Sequence, residues 1–333
     1  MKSARNHQIP FFFCIFALSK WITNAMPNDC HTPLNFHKLT LADRDSLQAI
    51  SLASGRRNCN YTFANLICWQ FWFNTEVCLC ENTAILRFNI EERRAYMVCS
   101  AVPPSLRLLE LLCADAASLG TDLQIMGVED EMAAHIQSLM PGGVTVEPRR
   151  NQYDYIYLRQ ELAELKGKNL KAKRNHVNKF LSEHPRYEYV ELTPERFDEC
   201  RQLSMLWRNE VHQDTPFYSE TVKAEQRSME NALANWDELK MIGGCVYDGS
   251  RLLAFTYGSA VTHDTFDVCV EKADRQVDGA FNIINQQFAS HLPEQYIYLN
   301  REEDMGLEGL RKSKLSYHPY QLLSYNIVNI QCP

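Results

Sequence analysis

At 333 residues, 45% hydrophobic and 23% charged, the chain has an ordinary globular composition and enough length for two domains. Its formal net charge of −7 excludes a molecule-wide basic field that would draw in nucleic acid or an anionic membrane, so any such contact has to be a local patch. Thirteen glycines and 13 prolines leave no room for a long low-complexity linker.

Taken in chain order, Lys2 and Arg5 precede an apolar run from Ile9 to Leu18 that resembles a short signal-peptide core. The run is too short to span a bilayer, which takes ~20 residues. An export signal and a start at Met26 both fit, so residues 1–30 are set apart as an N-terminal extension. The 12 cysteines show no C-x-x-C; Cys78-x-Cys80 alone is closely spaced, and no zinc-type partner pair follows it. They read as core thiols of a reducing cytoplasm, with no metal and no disulfides expected.

Residues 42–53 and Phe63–Phe73 have helical patterns, and Glu76–Cys80, Ala84–Ile90 and Ala95–Ala101 have strand patterns separated by polar turns. Pro103-Pro104-Ser105 opens a helix with Leu108, Leu109, Leu112, Ala116 and Leu119 on one stripe. Strand Asp122–Val128, helix Asp130–Met140 and strand Val144–Pro148 follow. The second half repeats this order. Thr193-Pro194 caps a helix with Phe197, Cys200, Leu203, Leu206 and Trp207 inward. A helix over Glu220–Trp236 precedes strands Lys240–Tyr247, Arg251–Ala260 and Thr265–Glu271, with Asp248-Gly249 as a hairpin signal. Helix Asp278–Leu292, strand Gln295–Asn300, helix Met305–Lys314 and strand Tyr320–Val328 complete it. The repeated order predicts a tandem duplication: one domain over 31–160, a basic connecting helix over 161–186, and a second domain over 187–330.

An antiparallel three-strand meander entering a helix and then a strand is the arrangement of the GNAT acyltransferase fold. The expected class is therefore α+β, two GNAT-like domains with mixed sheets flanked by helices. Four motifs sharpen this: Tyr61-Thr62-Phe63-Ala64-Asn65-Leu66 with Trp69, the run Lys171 to Phe180, Glu271 to Arg275, and Asn300 to Lys312. They resemble bacterial proteins related to the C-terminal domain of phosphatidylglycerol lysyltransferase, and the resemblance covers residues 33–328. It implies a cleft between the two domains and movement of an aminoacyl group from aminoacyl-tRNA to a lipid. The multi-helix membrane region of those enzymes has no counterpart here. The resemblance thus implies a co-substrate, acyl-CoA or aminoacyl-tRNA, rather than a tightly bound cofactor. The partners it implies are a small-molecule or lipid-headgroup acceptor and a tRNA.

Acyl transfer to an amine needs a donor grip, a proton acceptor and a polarised carbonyl. A GNAT-type grip uses backbone N–H groups at a helix start. Gln276, Gly279 and Ala280 supply part of such a loop, although Phe281 fills a position usually small and Asp278 would repel phosphate; an ordinary strand-to-helix turn explains the same residues. The first half offers Pro103 to Arg107, without glycine. Asp267 and Glu271 alternate with apolar residues and are expected on one sheet face, where burial would raise their pKa values and suit them to proton removal. At the fourth strand's end, Asn300, Arg301 and Glu302 are expected at the gap where a donor would lie. In the lysyltransferase pattern Asp267 and Asn300 have counterparts, while Val270 stands where that pattern has Arg. Lys171, Lys173 and Arg174 belong to a basic run without acids between Lys166 and Ser182, able to hold a polyanion or simply to face solvent. No Walker loop, H-E-x-x-H or G-x-S-x-G occurs.

Overall fold

The computed structural model describes residues 33–80, 82–90, 93–210 and 216–332. The N-terminal apolar run, the alternative start and the Trp207 side chain lie outside what is described. The first half contributes β1 (His37–Lys38), α1 (Arg44–Ser54), α2 (Phe63–Cys68), α3 (Gln70–Phe73), β2 (Glu76–Cys80), β3 (Thr83–Ile90), β4 (Arg93–Ser100), α4 (Leu106–Ser118), β5 (Leu123–Val128), α5 (Asp130–Leu139) and β6 (Val144–Pro148). Next come β7 (Asp154–Leu158), α6 (Arg159–Glu164), α7 (Lys171–Glu183), β8 (Tyr187–Glu191), α8 (Phe197–Glu210) and α9 (Pro216–Ala234). The chain ends with β9 (Ile242–Asp248), β10 (Arg251–Ala260), β11 (Thr265–Ala273), α10 (Ala280–His291), β12 (Tyr298–Asn300), α11 (Glu308–Leu315), β13 (Gln321–Leu323) and β14 (Asn326–Ile330).

Local chemistry accounts for several boundaries. Ser105 caps α4, its Oγ accepting from Leu108 N at 3.2 Å. Gly249 sits at φ +60 in the hairpin between β9 and β10, a left-handed conformation that glycine adopts without a Cβ penalty. The helix expected over Phe63–Phe73 is two pieces broken at Trp69. The stripes are shorter than their periodicity suggests, because Leu119 and Leu206 fall where no partner covers them and stay exposed. Nine cysteines among the described residues are free thiols, seven of them buried. Cys80 is disulfide-bonded, against the expectation of reduced thiols throughout.

The strands form two seven-stranded mixed sheets, in the orders β1-β2-β3-β4-β5-β14-β6 and β8-β9-β10-β11-β12-β7-β13. In each, a meander leads through a parallel pair, β4 with β5 or β11 with β12, and antiparallel strands follow. The sixth strand of each sheet comes from the other half. β7 lies between β12 and β13, while β14 lies between β5 and β6. The single closing strand expected over Tyr320–Val328 is therefore two strands in different sheets. Neither β7 nor β8 was marked by the strand patterns. Strand for strand, the two sheets correspond, so the fold is a duplicated pair of GNAT-like domains with their penultimate strands exchanged.

One apolar cluster draws on both halves, joining Phe63, Met97 and Met126 to Phe197, Trp236 and Tyr257. Two others back the sheets separately, one with α4 and α5 and one with α6, α7 and α10. Each fully buried large side chain stabilises by roughly 1.5–3 kcal/mol, so the shared cluster ties the halves into one unit.

Candidate functional site

The parallel pairing of β11 with β12 lasts three residues and ends at Asp267 opposite Asn300. Beyond that point the strands separate. The β10–β11 ladder carries a bulge at the same level: Tyr257 pairs Val270 and Ser259 pairs Asp267, so two steps on β10 face three on β11. Such a bulge flips the alternation of side chains. Asp267 consequently points toward α2, where Thr62 and Asn65 bond it, whereas Glu271 points toward α10, where Asn285 bonds it. The expectation that the two carboxylates share a face is overturned by that extra residue. Gly258 sits inside the bulge, and a Cβ there would lie 1.7 Å from the Asp267 carbonyl oxygen.

Around the end of the pair lies a buried polar cluster built from both halves. Asn300 donates from Nδ2 to Asp154 Oδ2 and to the Arg57 carbonyl, both at 2.8 Å, and its Oδ1 accepts from Glu302 N at 2.7 Å. Asp154 Oδ2 also accepts from Cys59 N at 2.9 Å, and Oδ1 from Cys59 Sγ at 3.4 Å. Asn65 Nδ2 bridges Asp267 Oδ2 at 2.9 Å and Glu302 Oε1 at 3.1 Å. Asp267 is 0% exposed, and its Oδ1 has no hydrogen-bond partner. None of Asp154, Asp267 and Glu302 has an ion pair among the described residues.

The electrostatics follow from that burial. Burial first and the Asp154 carboxylate second push Asp267 well above the ordinary carboxylate range. Glu302 rises for the same reason, burial followed by Asp267 and Glu303. Asp154 is pushed up to about 6 by burial and by Glu303, with the bonds from Cys59 and Asn300 pulling the other way. Burial likewise raises the Cys59 and Cys269 thiols. Two triads bring potential metal-ligand atoms within 4.8 Å of one another: Cys59, Asp154 and Glu303, and Asp267, Cys269 and Glu302.

The neighbouring groups are paired differently. Arg301 bonds Glu271 at 2.9 Å and stands over the Tyr317 ring. Asp304 accepts from Arg150, Arg311, Tyr155 OH and Gly306 N. Burial would raise its carboxyl, but these bonds outweigh burial and hold it far below the usual range. Lys314 donates to the carbonyls of Arg301 and Glu302, fixing the loop after β12; Glu302 takes φ +54 there.

Of the residues singled out in the sequence, the structure thus gathers Asp267, Asn300 and Glu302 in one cluster and sets Glu271 and Arg301 beside it, toward α10. Gly279 is the N-cap of α10 at φ +81, with Ala280 buried behind it and Gln276 exposed. A Cβ on Gly279 would lie 2.7 Å from the His176 carbonyl oxygen, so α7 lies directly against that helix start. Asp278 pairs there with Lys179 at 2.6 Å and His176 at 3.3 Å. On α7, Lys171 is exposed, Lys173 stacks over Tyr317 at 4.2 Å, and Arg174 bonds the Leu165 and Gly167 carbonyls. Asp154, Cys59, Thr62, Asn65 and Cys269 were not picked out as site residues. Thr62 and Asn65 were within reach, as the polar positions of the first family-like motif.

The sequence matches the family described as phosphatidylglycerol lysyltransferase, C-terminal, over residues 53–328. The chain belongs to that family, whose common theme is the transfer of acyl or aminoacyl groups. A conserved protein of unknown function from Bacteroides thetaiotaomicron is 39% identical and superposes with a TM-score of 0.84, over 90% of this chain and 100% of that one. The C-terminal domain of a putative lysylphosphatidylglycerol synthetase from Agrobacterium fabrum is 12% identical, TM-score 0.61, over 87% of this chain and 92% of that one. FemX is 8% identical, TM-score 0.57, over 88% and 96%. An uncharacterised protein of Mycoplasmoides gallisepticum is 23% identical over 230 residues, 63% of this chain and 69% of that protein. Among the described residues no helix is long and apolar enough to cross a membrane.

Proposed function

We propose that this family member transfers an aminoacyl group from aminoacyl-tRNA to an amine or hydroxyl acceptor at the seam where β11, β12 and the exchanged strand β7 meet. The reading rests on one observation above the rest: carboxylates from both halves converge where the parallel pair ends, and burial there pushes Asp154 up to about 6. A carboxylate of that pKa accepts a proton efficiently at neutral pH. In the reaction, the acceptor's N–H or O–H proton passes to Asp154 as its lone pair attacks the ester carbonyl. The ester C–O bond breaks, and the tRNA ribose oxygen takes that proton back from Asp154 and leaves as a hydroxyl, which restores the carboxylate. Asn300 and the Cys59 N–H hold the Asp154 carboxylate in place.

The choice of tRNA ester over coenzyme A thioester is supported by α7. It covers the helix start where a pyrophosphate would sit, and it carries the exposed Lys171 beside Lys166 and Lys168. The reading is tested by incubating the purified protein with radiolabelled aminoacyl-tRNAs, acyl-CoAs and a panel of amine and lipid-headgroup acceptors. Transfer from a charged tRNA that Asp154→Asn lowers by about 10²–10⁴-fold is expected. Transfer from acyl-CoA alone, or full activity in Asp154→Asn, overturns it.

The covered start of α10 also favours a second reading, in which the tandem module binds an anionic ligand without turnover. It predicts retention of RNA or nucleotide in native mass spectrometry of the purified protein, with no transfer in the same panel.

A further inference from the structure

We propose that Asp267, Cys269 and Glu302 form a binding site for one zinc-like divalent cation, with a fourth coordination position left open. The sequence leads to the opposite expectation, since its only close cysteine pair, Cys78 and Cys80, lies elsewhere. The site is not apparent there because one ligand comes from the loop after β12, which only the fold brings beside Asp267 and Cys269, two residues apart on one face of β11.

Three observations carry the inference. First, one ligand atom from each of the three residues lies within 4.8 Å of the others, close enough for a single ion to span. Second, Asp267 is completely buried, yet its Oδ1 lacks any partner; Ser259, its partner across the ladder, likewise has a buried Oγ without one. A buried carboxylate oxygen left unsatisfied is costly, and buried polar groups are nearly always bonded. A cation at this point removes that cost. Third, neither Asp267 nor Glu302 is matched by an ion pair among the described residues. The nearby basic groups are committed elsewhere: Arg301 to Glu271, Arg150 and Arg311 to Asp304, Lys314 to backbone carbonyls. A fully buried carboxylate, a half-buried one and a half-buried thiol thus lie together with no ion pair among the described residues to balance them.

The arrangement also has the supporting shell that metal sites require. Asn65 Nδ2 fixes one oxygen of each carboxylate, Asp267 Oδ2 and Glu302 Oε1, and the Cys269 thiol donates to the same Asp267 Oδ2 at 3.5 Å, so Asp267 Oδ1 is the oxygen left without a partner. Thr62 steadies Asp267, and the Asn300 side chain holds the Glu302 backbone N–H. The donor set decides the metal. Magnesium and calcium prefer all-oxygen shells, whereas a thiolate with two carboxylates suits zinc and its neighbours. Three protein ligands and one open position is the pattern of zinc sites that take a water or substrate group. On binding, the Cys269 S–H bond breaks, the sulfur keeps the electron pair and donates it to the metal, and the proton leaves to solvent. No oxidant or reductant is involved.

The test is to prepare the full chain with and without chelator treatment and to titrate it calorimetrically with zinc chloride. Repeating the titration in two buffers of different ionisation heat counts the protons released. One zinc per chain is expected, with proton release. Asp267→Asn and Cys269→Ser should each weaken binding at least 100-fold, while Cys332→Ser, remote from the site, should leave it unchanged. Cobalt(II) should give a thiolate charge-transfer band in the parent protein that Cys269→Ser lacks. Absence of stoichiometric zinc binding by the parent chain overturns the proposal, as does binding indifferent to both substitutions; the parent result stands even if a variant fails to fold. The binding of the ion does not rest on the transfer reading. Zinc bound without any transfer would leave the site intact and remove that reading, and transfer by a chain that binds no zinc would do the reverse.

Discussion

The fold makes one stability prediction whose size can be worked from its contacts: Asp304→Asn. The Asp304 carboxylate is fully buried and accepts from Tyr155 OH at 2.7 Å, Arg311 Nε and Nη2 at 2.8 and 2.9 Å, Gly306 N at 2.9 Å and Arg150 Nη1 at 3.0 Å. Asparagine keeps one acceptor oxygen and turns the other into an NH2 donor that faces guanidinium or hydroxyl donors. Hydrogen bonds to charged groups contribute about 1.5–3 kcal/mol each, and breaking a buried pair costs about 3–5 kcal/mol. The two arginines are 36% and 38% exposed, so water recovers part of their loss, and the lower end, ~3 kcal/mol, is expected. That is more than a hundredfold in the folded-to-unfolded ratio. Because the folded carboxyl is held far below its unfolded value of 3.8, its stabilisation is complete above about pH 5. It drains away as the pH falls through the unfolded value toward the folded one. Urea unfolding of both proteins at pH 7 and near pH 3 measures this. A gap under about 1 kcal/mol at pH 7, or a gap of the same size at both pH values, refutes the reasoning.

Other expectations follow from the same geometry. Gly258→Ala sets a Cβ 1.7 Å from the Asp267 carbonyl oxygen, a backbone atom that cannot move alone, so the bulge must open. A loss of at least ~3 kcal/mol in thermal or urea unfolding is expected, and a variant as stable as the parent would contradict the bulge. Ionising Asp154 near 6 rather than 3.8 costs about 3 kcal/mol more in the folded chain than in the unfolded one. Raised folded pKa means that stability declines as pH rises from about 4 to about 6; kcat/KM for transfer should climb through about 6, and Asp154→Asn should flatten that limb. Deleting residues 325–333 removes β14 from between β5 and β6 and leaves two unpaired edges. Loss of near-ultraviolet circular dichroism is expected, and a soluble, well-folded truncate would show that the exchange is dispensable.

Sequence periodicity recovered the order of the elements because each helix and strand is patterned by its immediate neighbours. The Asp248-Gly249 hairpin, the Ser105 cap and the Leu108 to Ala116 stripe depend on nothing farther away than a few residues. What periodicity missed depends on pairing at long range. β7 and β14 are five-residue strands with no internal mark of which sheet receives them, and only their partners in the fold say so. The bulge behaves likewise. Thr265 to Glu271 alternates cleanly in sequence, yet the extra residue opposite Tyr257 and Ser259 sends Asp267 and Glu271 to opposite faces. Asn300 was legible because it ends a strand just before a polar run. Asp154 was not, because the strand it begins was itself unseen.

The exchange of strands explains why the two halves are unequal. Asp154 opens β7 as Asn326 opens β14, so the two occupy corresponding places in the exchanged strands. Asn326 donates its amide to the Val128 carbonyl and the Asp130 carboxylate, at 2.9 and 2.8 Å, and so brings a neutral donor from the exchanged strand to the first seam. Asp154 instead brings a carboxylate to the second seam, beside Asn300 and the Cys59 backbone. A duplicated domain without exchange would keep Asp154 in the first sheet, away from β12. Asp267, Glu302 and Asn300 would then lack their acidic neighbour, and Asp154 would lack the bond that holds it. The first half therefore supplies part of the cluster itself: Asp154 comes from β7, and Thr62 and Asn65 from the start of α2, so the cluster exists only when both halves are folded together.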